Sequence, residues 1–195
     1  MRRDLNKQYN RRLLIESALQ LFCEKDYQKV TVEEIAHQAG VTKTTFFAHF
    51  RTKEEILVAI DVDQLSTFEV KLNSIGDRNQ FIGDVVEAVV NMAQQLHRVP
   101  ILTQNLIHLG TISPKYRKIL VETFDKLKII LSKRFTAAQA QGWITQRVSA
   151  DRIAEDFVII YIGALTRWSY FTEPSPLQDI LREVLLNYSR SIQAD

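Results

Sequence analysis

Apolar residues recur at intervals of three and four along nearly the whole chain, and stretches alternating with a period of two are almost absent. Leu14, Ile15, Ala18, Leu19 and Phe22 mark the inner face of a first helix over about residues 6–24, with Arg11, Arg12, Glu16 and Gln20 outside. Thr31 stands before "VEEIAHQ" with Glu34 three residues on, a capping box that starts a second helix near Val32. Gly40 ends it, because glycine takes a left-handed backbone at lowest cost. Thr42 caps a third helix, "KTTFFAH", and Thr52 a fourth beginning at Lys53, with Glu54 and Glu55 suiting its positive end. Longer helices are predicted near 53–75, 79–98, 101–110, 114–141, 149–172 and 176–193. Their breaks are Gly76-Asp77, Pro100, Gly110 with Pro114, Gly142 and the "EPSP" of 173–176. The fold class is all-α: an N-terminal helix-turn-helix unit, residues 1–52, followed by a larger helical bundle, residues 53–195.

Two short helices joined by a glycine-containing turn describe a helix-turn-helix, whose second helix enters the DNA major groove. In "VTKTTFFAHF", residues 41–50, Val41, Phe46 and Phe50 can join Ile35 and Ala36 in packing against Ala18, Leu19 and Phe22. Lys43, Thr44 and Phe47 then fall on the outward face. Threonine hydroxyls reach base edges or phosphates, and a lysine bonds guanine or pairs with phosphate. The same stretch also fits a capped surface helix with no partner.

Composition narrows the picture. With 46% apolar residues, a chain of 195 can build a sizeable core in one or two domains. The apolar run "FVIIYIGAL", 157–165, is far shorter than the roughly 20 residues of a spanning helix. "MRRDLNKQYNRR" leads straight into an amphipathic pattern with no leader-like apolar stretch, so a cytoplasmic protein without a membrane partner is expected. Cys23 is the single cysteine and has no partner for a disulfide or a zinc cluster. Within the first twelve residues Arg2, Arg3, Lys7, Arg11 and Arg12 oppose Asp4 alone, a basic arm suited to polyanions. His37, His49, His97 and His108 are scattered, and no metal-spaced cluster, glycine-rich phosphate loop or nucleophile context occurs. No catalytic residue, metal or cofactor is expected.

Residues 15–57, "IESALQLFCEKDYQKVTVEEIAHQAGVTKTTFFAHFRTKEEIL", resemble the DNA-binding domain of the TetR family of transcriptional regulators. "AGV", a short helix, an aromatic-x-x-Phe and then "KEEIL" carry the resemblance. It implies that Thr31 and Lys53 hold phosphates at the starts of the second and fourth helices. Lys43, Thr44 and Thr45, beside the capping Thr42, would approach bases, and Phe47 and His49 would lie along the backbone. Two departures stand out. Phe47 replaces a common tyrosine and lacks its hydroxyl. Asp26 replaces a common glycine, and aspartate can take the left-handed geometry such a turn needs.

In the bundle, apolar faces such as Val85, Val89, Phe124 and Leu127 carry polar or polarizable neighbours, namely Met92, Gln95, Gln104, Asn105, His108, Tyr116, Tyr161 and Trp168. A mostly apolar cavity with a few placed polar groups is what a small-molecule site needs. Met92, Gln104, His108, Tyr116, Phe124, Tyr161 and Trp168 are the candidate effector pocket, which the resemblance also places inside the bundle. The last two helices are apolar over so wide an arc that a second copy could cover them. Phe157, Tyr161, Gly163, Leu181, Val184, Leu185 and Tyr188 are the expected dimer surface, and the resemblance implies a homodimer on a palindromic operator. The implied function is a dimeric repressor of double-stranded DNA operators, released by a small molecule. Two other readings remain: a regulator governed by a protein partner or by no effector, and an all-α carrier or enzyme with a vestigial helix-turn-helix.

Overall fold

The computed structural model describes residues 2–97, 100–170 and 176–193. The described residues form an all-α structure: α1 (Arg2–Glu24), α2 (Val32–Gln38), α3 (Lys43–His49), α4 (Lys53–Asn73), α5 (Phe81–Leu96), α6 (Pro100–Ile112), α7 (Pro114–Ala140), α8 (Ala150–Ser169) and α9 (Leu177–Ser189). Short 3-10 turns occupy Tyr27–Lys29 and Arg190–Ile192. The side chains of Arg2, Arg3, Gln95 and Leu96, and most of the expected 173–176 break, lie outside the described residues.

Local chemistry sets most helix starts. The Thr31, Thr42, Ser113 and Ser149 side chains each accept a bond from the first turn of the helix they precede. Thr52 departs from expectation: it occupies the cap position of α4, but its hydroxyl makes no capping bond. Glu55 instead reaches back to accept the Arg51 N–H at 2.7 Å. Asp26 also departs. Its φ is −56°, and its carboxylate accepts the Gln28 N–H at 2.9 Å, so it starts the 3-10 turn rather than taking a left-handed backbone. Among the described residues only Gly40 and Gly142 have positive φ. The basic N-terminus winds into α1 from Arg2 onward and forms no separate arm among the described residues.

Two apolar cores result. In the bundle, α7 packs along α8, α5 along α9, and α4 crosses α5 and α7. Phe135 bridges this core, its ring 6.3 Å from Phe81 and 5.1 Å from Phe157. Arg134 fastens the end of α4, donating to the Leu72 and Ile75 carbonyls while lying 4.7 Å over the Phe81 ring. The second core joins α1, α2, α3 and the start of α4, and it also takes in Leu102, Leu106 and Leu109 of α6 and Tyr116 of α7. Packing therefore continues across the sequence boundary at residue 52. Among the described residues, no helix is long and apolar enough to cross a membrane.

Candidate nucleic-acid interface and bundle cavity

The α2–α3 corner is built from both sides. Thr31 Oγ1 accepts the Glu34 N–H at 3.2 Å, and the Glu34 carboxylate accepts the Thr31 N–H at 2.8 Å. The Lys25 ammonium, 2.7 Å from Glu34, together with the Thr31 N–H holds that carboxyl down to about 2. Gly40 turns the chain at φ +67°, letting the Val41 N–H return to the Ala36 carbonyl at 2.9 Å. Phe46 and Phe50 are buried against the α1 and α2 apolar faces, which fixes the rotation of α3.

That rotation decides which side chains face water. Lys43 and Thr44 are exposed, and Phe47 is 48% exposed with its ring edge-on to Phe46. The Lys43 ammonium pairs with Glu33 and lies 5.9 Å above the Phe47 ring. Thr42 and Thr45 are occupied with each other: the Thr42 hydroxyl accepts the Thr45 N–H at 3.1 Å, and the two hydroxyls lie 2.9 Å apart. His49 is half-buried at the far end of α3. Burial lowers its pKa, and the positive charges of Lys7 and Arg11 lower it further. The basic side of α1 and the end of α3 thus form one positive region.

Lys53 is placed differently from a side chain held out for phosphate. Its ammonium donates to the carbonyls of Tyr27 at 2.7 Å, Val30 at 3.0 Å and Gln28 at 3.4 Å, and sits 4.2 Å over the Tyr27 ring. Burial lowers its pKa, with Glu54 and Asp26 opposing the shift. In this geometry it ties the 3-10 turn to the start of α4.

Inside the bundle lies a cavity of about 500 Å³. Met92, Tyr116, Phe124 and Tyr161 of the sequence-expected set line it. Gln104, His108 and Trp168 do not. Gln104 is exposed and donates its amide to the Ser169 carbonyl, His108 points to solvent from α6, and Trp168 is packed in the bundle core. A helix with apolar residues on most of its circumference does not show in its sequence which side meets a void. The sequence also gave no sign that His97 and Thr103 belong together. The structure brings His97 Nδ1 to 2.9 Å from Thr103 Oγ1, with both side chains buried in the cavity wall. They stand on either side of the break at Pro100, where no helical period connects them.

The α8–α9 surface sorts the expected dimer residues into two groups. Phe157, Tyr161, Leu181 and Leu185 are buried within the chain's own core rather than on its outer face. The reason is helix phase: their neighbours across α8 and α9 are each other and α5 and α7. Tyr188 is half-buried and donates to Asp156 at 2.8 Å. Gly163 and Val184 do face outward, as do Ile159 and Leu186, and a Cβ at Gly163 would meet open space. Among the described residues no cluster of three or more His, Cys, Asp or Glu is placed to hold a metal.

Residues 14–60 match the profile described as bacterial regulatory proteins, tetR family. The transcriptional regulator AcuR of Cereibacter sphaeroides is 27% identical over 177 residues, covering 87% of this chain and 80% of that protein. The regulator TcmR of Streptomyces glaucescens is 44% identical over 62 residues, 30% of this chain and 27% of its own. Among solved structures, Thermus thermophilus FadR, a TetR-family repressor in complex with lauroyl-CoA, superposes with a TM-score of 0.64 at 21% identity, covering 91% of each chain. With its capped, glycine-turned helix pair, its buried Phe46 and Phe50 and its outward Lys43 and Thr44, the segment 14–60 of this chain is a helix-turn-helix domain of the tetR family of bacterial regulatory proteins.

Proposed function

We propose that the protein is a homodimeric repressor that binds a palindromic operator in the cytoplasm and releases it when a small molecule enters the bundle cavity. One observation carries this reading. Helix α6 lines the cavity with Leu106 and Gly110, while Leu102, Leu106 and Leu109 on the same helix belong to the core of the N-terminal unit. Asn105 adds a direct tie, donating to the Lys25 carbonyl at the end of α1 at 3.3 Å. A ligand that repositions α6 therefore pushes on the DNA-binding unit, residues 1–52, from within its own packing. The repressor solved with lauroyl-CoA supports a ligand-controlled reading of the shared architecture.

On DNA, Lys43 and Thr44 would read base edges, Thr42 and Thr45 would hold the helix start while Thr45 approaches the groove, and Phe47 would lie against sugar or a thymine methyl. Thr31, His49 and the basic face of α1 would meet phosphates. Lys53 would do so only by exchanging carbonyl partners for phosphate oxygens. The outward faces of α8 and α9, with Ile159, Gly163, Val184 and Leu186, would meet a second copy about a two-fold axis and space two recognition helices one helical turn apart. A ligand shifts this equilibrium only by binding one spacing better than the other.

The test is selection of bound fragments from genomic DNA, followed by gel-shift and light-scattering measurements on the selected site. Symmetric half-sites bound by a dimer support the reading. A strict monomer at micromolar concentration, or undiminished specific binding after Lys43, Thr44 and Thr45 are all replaced by alanine, removes it.

A further inference from the structure

The chemistry of the cavity wall restricts what the cavity can hold. Its inner surface is formed by Leu65, Met92, Phe124, Leu127 and Leu165, and its volume of about 500 Å³ lies within the roughly 300–1,000 Å³ of ordinary ligand pockets. Among the described residues no aspartate or glutamate lines it. The ionised side chain on its wall, Arg117, lies at the exposed α6–α7 end. Arg117 is engaged there: Nε donates to the Gly110 carbonyl at 3.0 Å and Nη2 to the Thr111 carbonyl at 2.5 Å, so the guanidinium satisfies the carbonyl end of α6. An anion would meet a guanidinium already bonded to two carbonyls, and a cation would find no carboxylate among the described lining residues.

The deep polar groups are neutral. His97 is enclosed, with its ring 6.2 Å from that of Tyr161 and steeply inclined to it, and burial pushes its pKa down to about 3. Thr103 is equally buried and bonded to His97. A neutral imidazole and a hydroxyl offer hydrogen bonds without charge, and moving a full charge beside them would forfeit its hydration uncompensated. Among the other hydroxyls on the wall, Thr166 donates to the Ile162 carbonyl and Thr111 to that of His108, and Tyr116, Thr123 and Tyr161 have interactions of their own. The His97–Thr103 pair is the buried polar couple whose hydrogen bond lies within the wall itself.

We infer that the cavity takes an uncharged, mainly apolar molecule bearing one amide, ketone or hydroxyl group that bonds to the His97–Thr103 pair. This deepens the effector-controlled reading above and rests on it. The test uses the full chain and three probes on one frame: biphenyl-4-carboxamide, biphenyl-4-carboxylate and biphenyl-4-ylmethylammonium, titrated calorimetrically near pH 7.5. The carboxamide is expected to bind at least about ten-fold tighter than either charged probe. Thr103→Val is expected to weaken the carboxamide about five-fold or more with little effect on the charged probes, and Thr103→Ser to restore it. A charged probe binding as tightly as the carboxamide, no saturable carboxamide binding, or full carboxamide affinity in Thr103→Val would overturn the assignment. Repeating the titration on the operator complex separates the two readings. The expected affinity order without DNA release keeps the ligand class and defeats effector control.

Discussion

At the scale of single residues, side chains of one short helix divide between packing, capping and recognition. Phe46 is fully buried while its neighbour Phe47 is half exposed, because successive positions on a helix point about 100° apart. Lys43 and Thr44 share the exposed side, so Thr44→Ala is expected to weaken binding to the selected operator by about 1–3 kcal/mol while leaving the melting temperature nearly unchanged. Fluorescence anisotropy on matched and scrambled duplexes checks the binding half of that statement, and thermal unfolding followed by circular dichroism checks the stability half. Lys53 should behave in the opposite way. Its ammonium satisfies backbone carbonyls of the 3-10 turn, so Lys53→Met is expected to cost about 1–3 kcal/mol in urea unfolding even without DNA. Unchanged stability would return Lys53 to a purely DNA-facing role. His97 adds a pH signature. Its folded pKa of about 3 lies below the ordinary 6.5, so below pH 6.5 the unfolded chain binds a proton that the folded chain refuses. The stability it allows is intact above pH 6.5 and falls progressively as pH drops toward about 3. Unfolding of wild type and His97→Leu at pH 7.5 and pH 5 should show a shallower decline in the variant, and equal declines would contradict a buried neutral imidazole.

At the scale of elements, the starts of helices were legible and their faces less so. Thr31 and Thr42 cap as expected and the α3 span was readable to the residue, whereas Thr52 makes no capping bond and the Ser113 and Ser149 caps emerged with the structure. The 3-10 turn at Tyr27–Lys29 was not, since three residues carry no period, and the Asp26 bond that starts it competes with a left-handed turn on nearly equal local terms. Helix α6 is the instructive case. It is apolar on most of its circumference, and only packing shows that Leu102 faces the N-terminal core while Thr103 faces the cavity. Leu102→Ala is expected to cost about 2–5 kcal/mol and to raise amide exchange in α1 as well as α6, because the lost contacts lie in a core shared by both. Exchange confined to α6 would argue against that coupling. Gly110 shows the same closeness from the other side, where an added Cβ would stand 2.7 Å from Leu120 Cδ1. Leu120 borders the cavity and can yield into it, so Gly110→Ala should lower probe affinity more than it changes stability.

At the scale of the molecule, the two cores meet at α6 and the outward α8–α9 surface carries apolar residues that nothing in one chain covers. Ile159 is 53% and Val184 42% exposed. A double Ile159→Glu, Val184→Glu variant is expected to shift the mass measured by light scattering from two chains to one and to weaken palindromic operator binding at least about ten-fold, with helix content by circular dichroism unchanged. Retention of the wild-type mass would place any self-association elsewhere.

The sequence by itself determined the all-helical class, the capped and glycine-turned pair of short helices, the burial of Phe46 and Phe50, and the outward placement of Lys43, Thr44 and Phe47. These rest on interactions within a few residues, where spacing and side-chain chemistry suffice. Tertiary structure alone decided that Lys53 turns onto the carbonyls of a preceding turn, that Phe157, Tyr161, Leu181 and Leu185 fill the chain's own interior, and that His97 meets Thr103 at a cavity that Gln104, His108 and Trp168 do not reach. Each depends on the rotation of one helix against another. Many distant contacts fix that rotation jointly, and no local period encodes it.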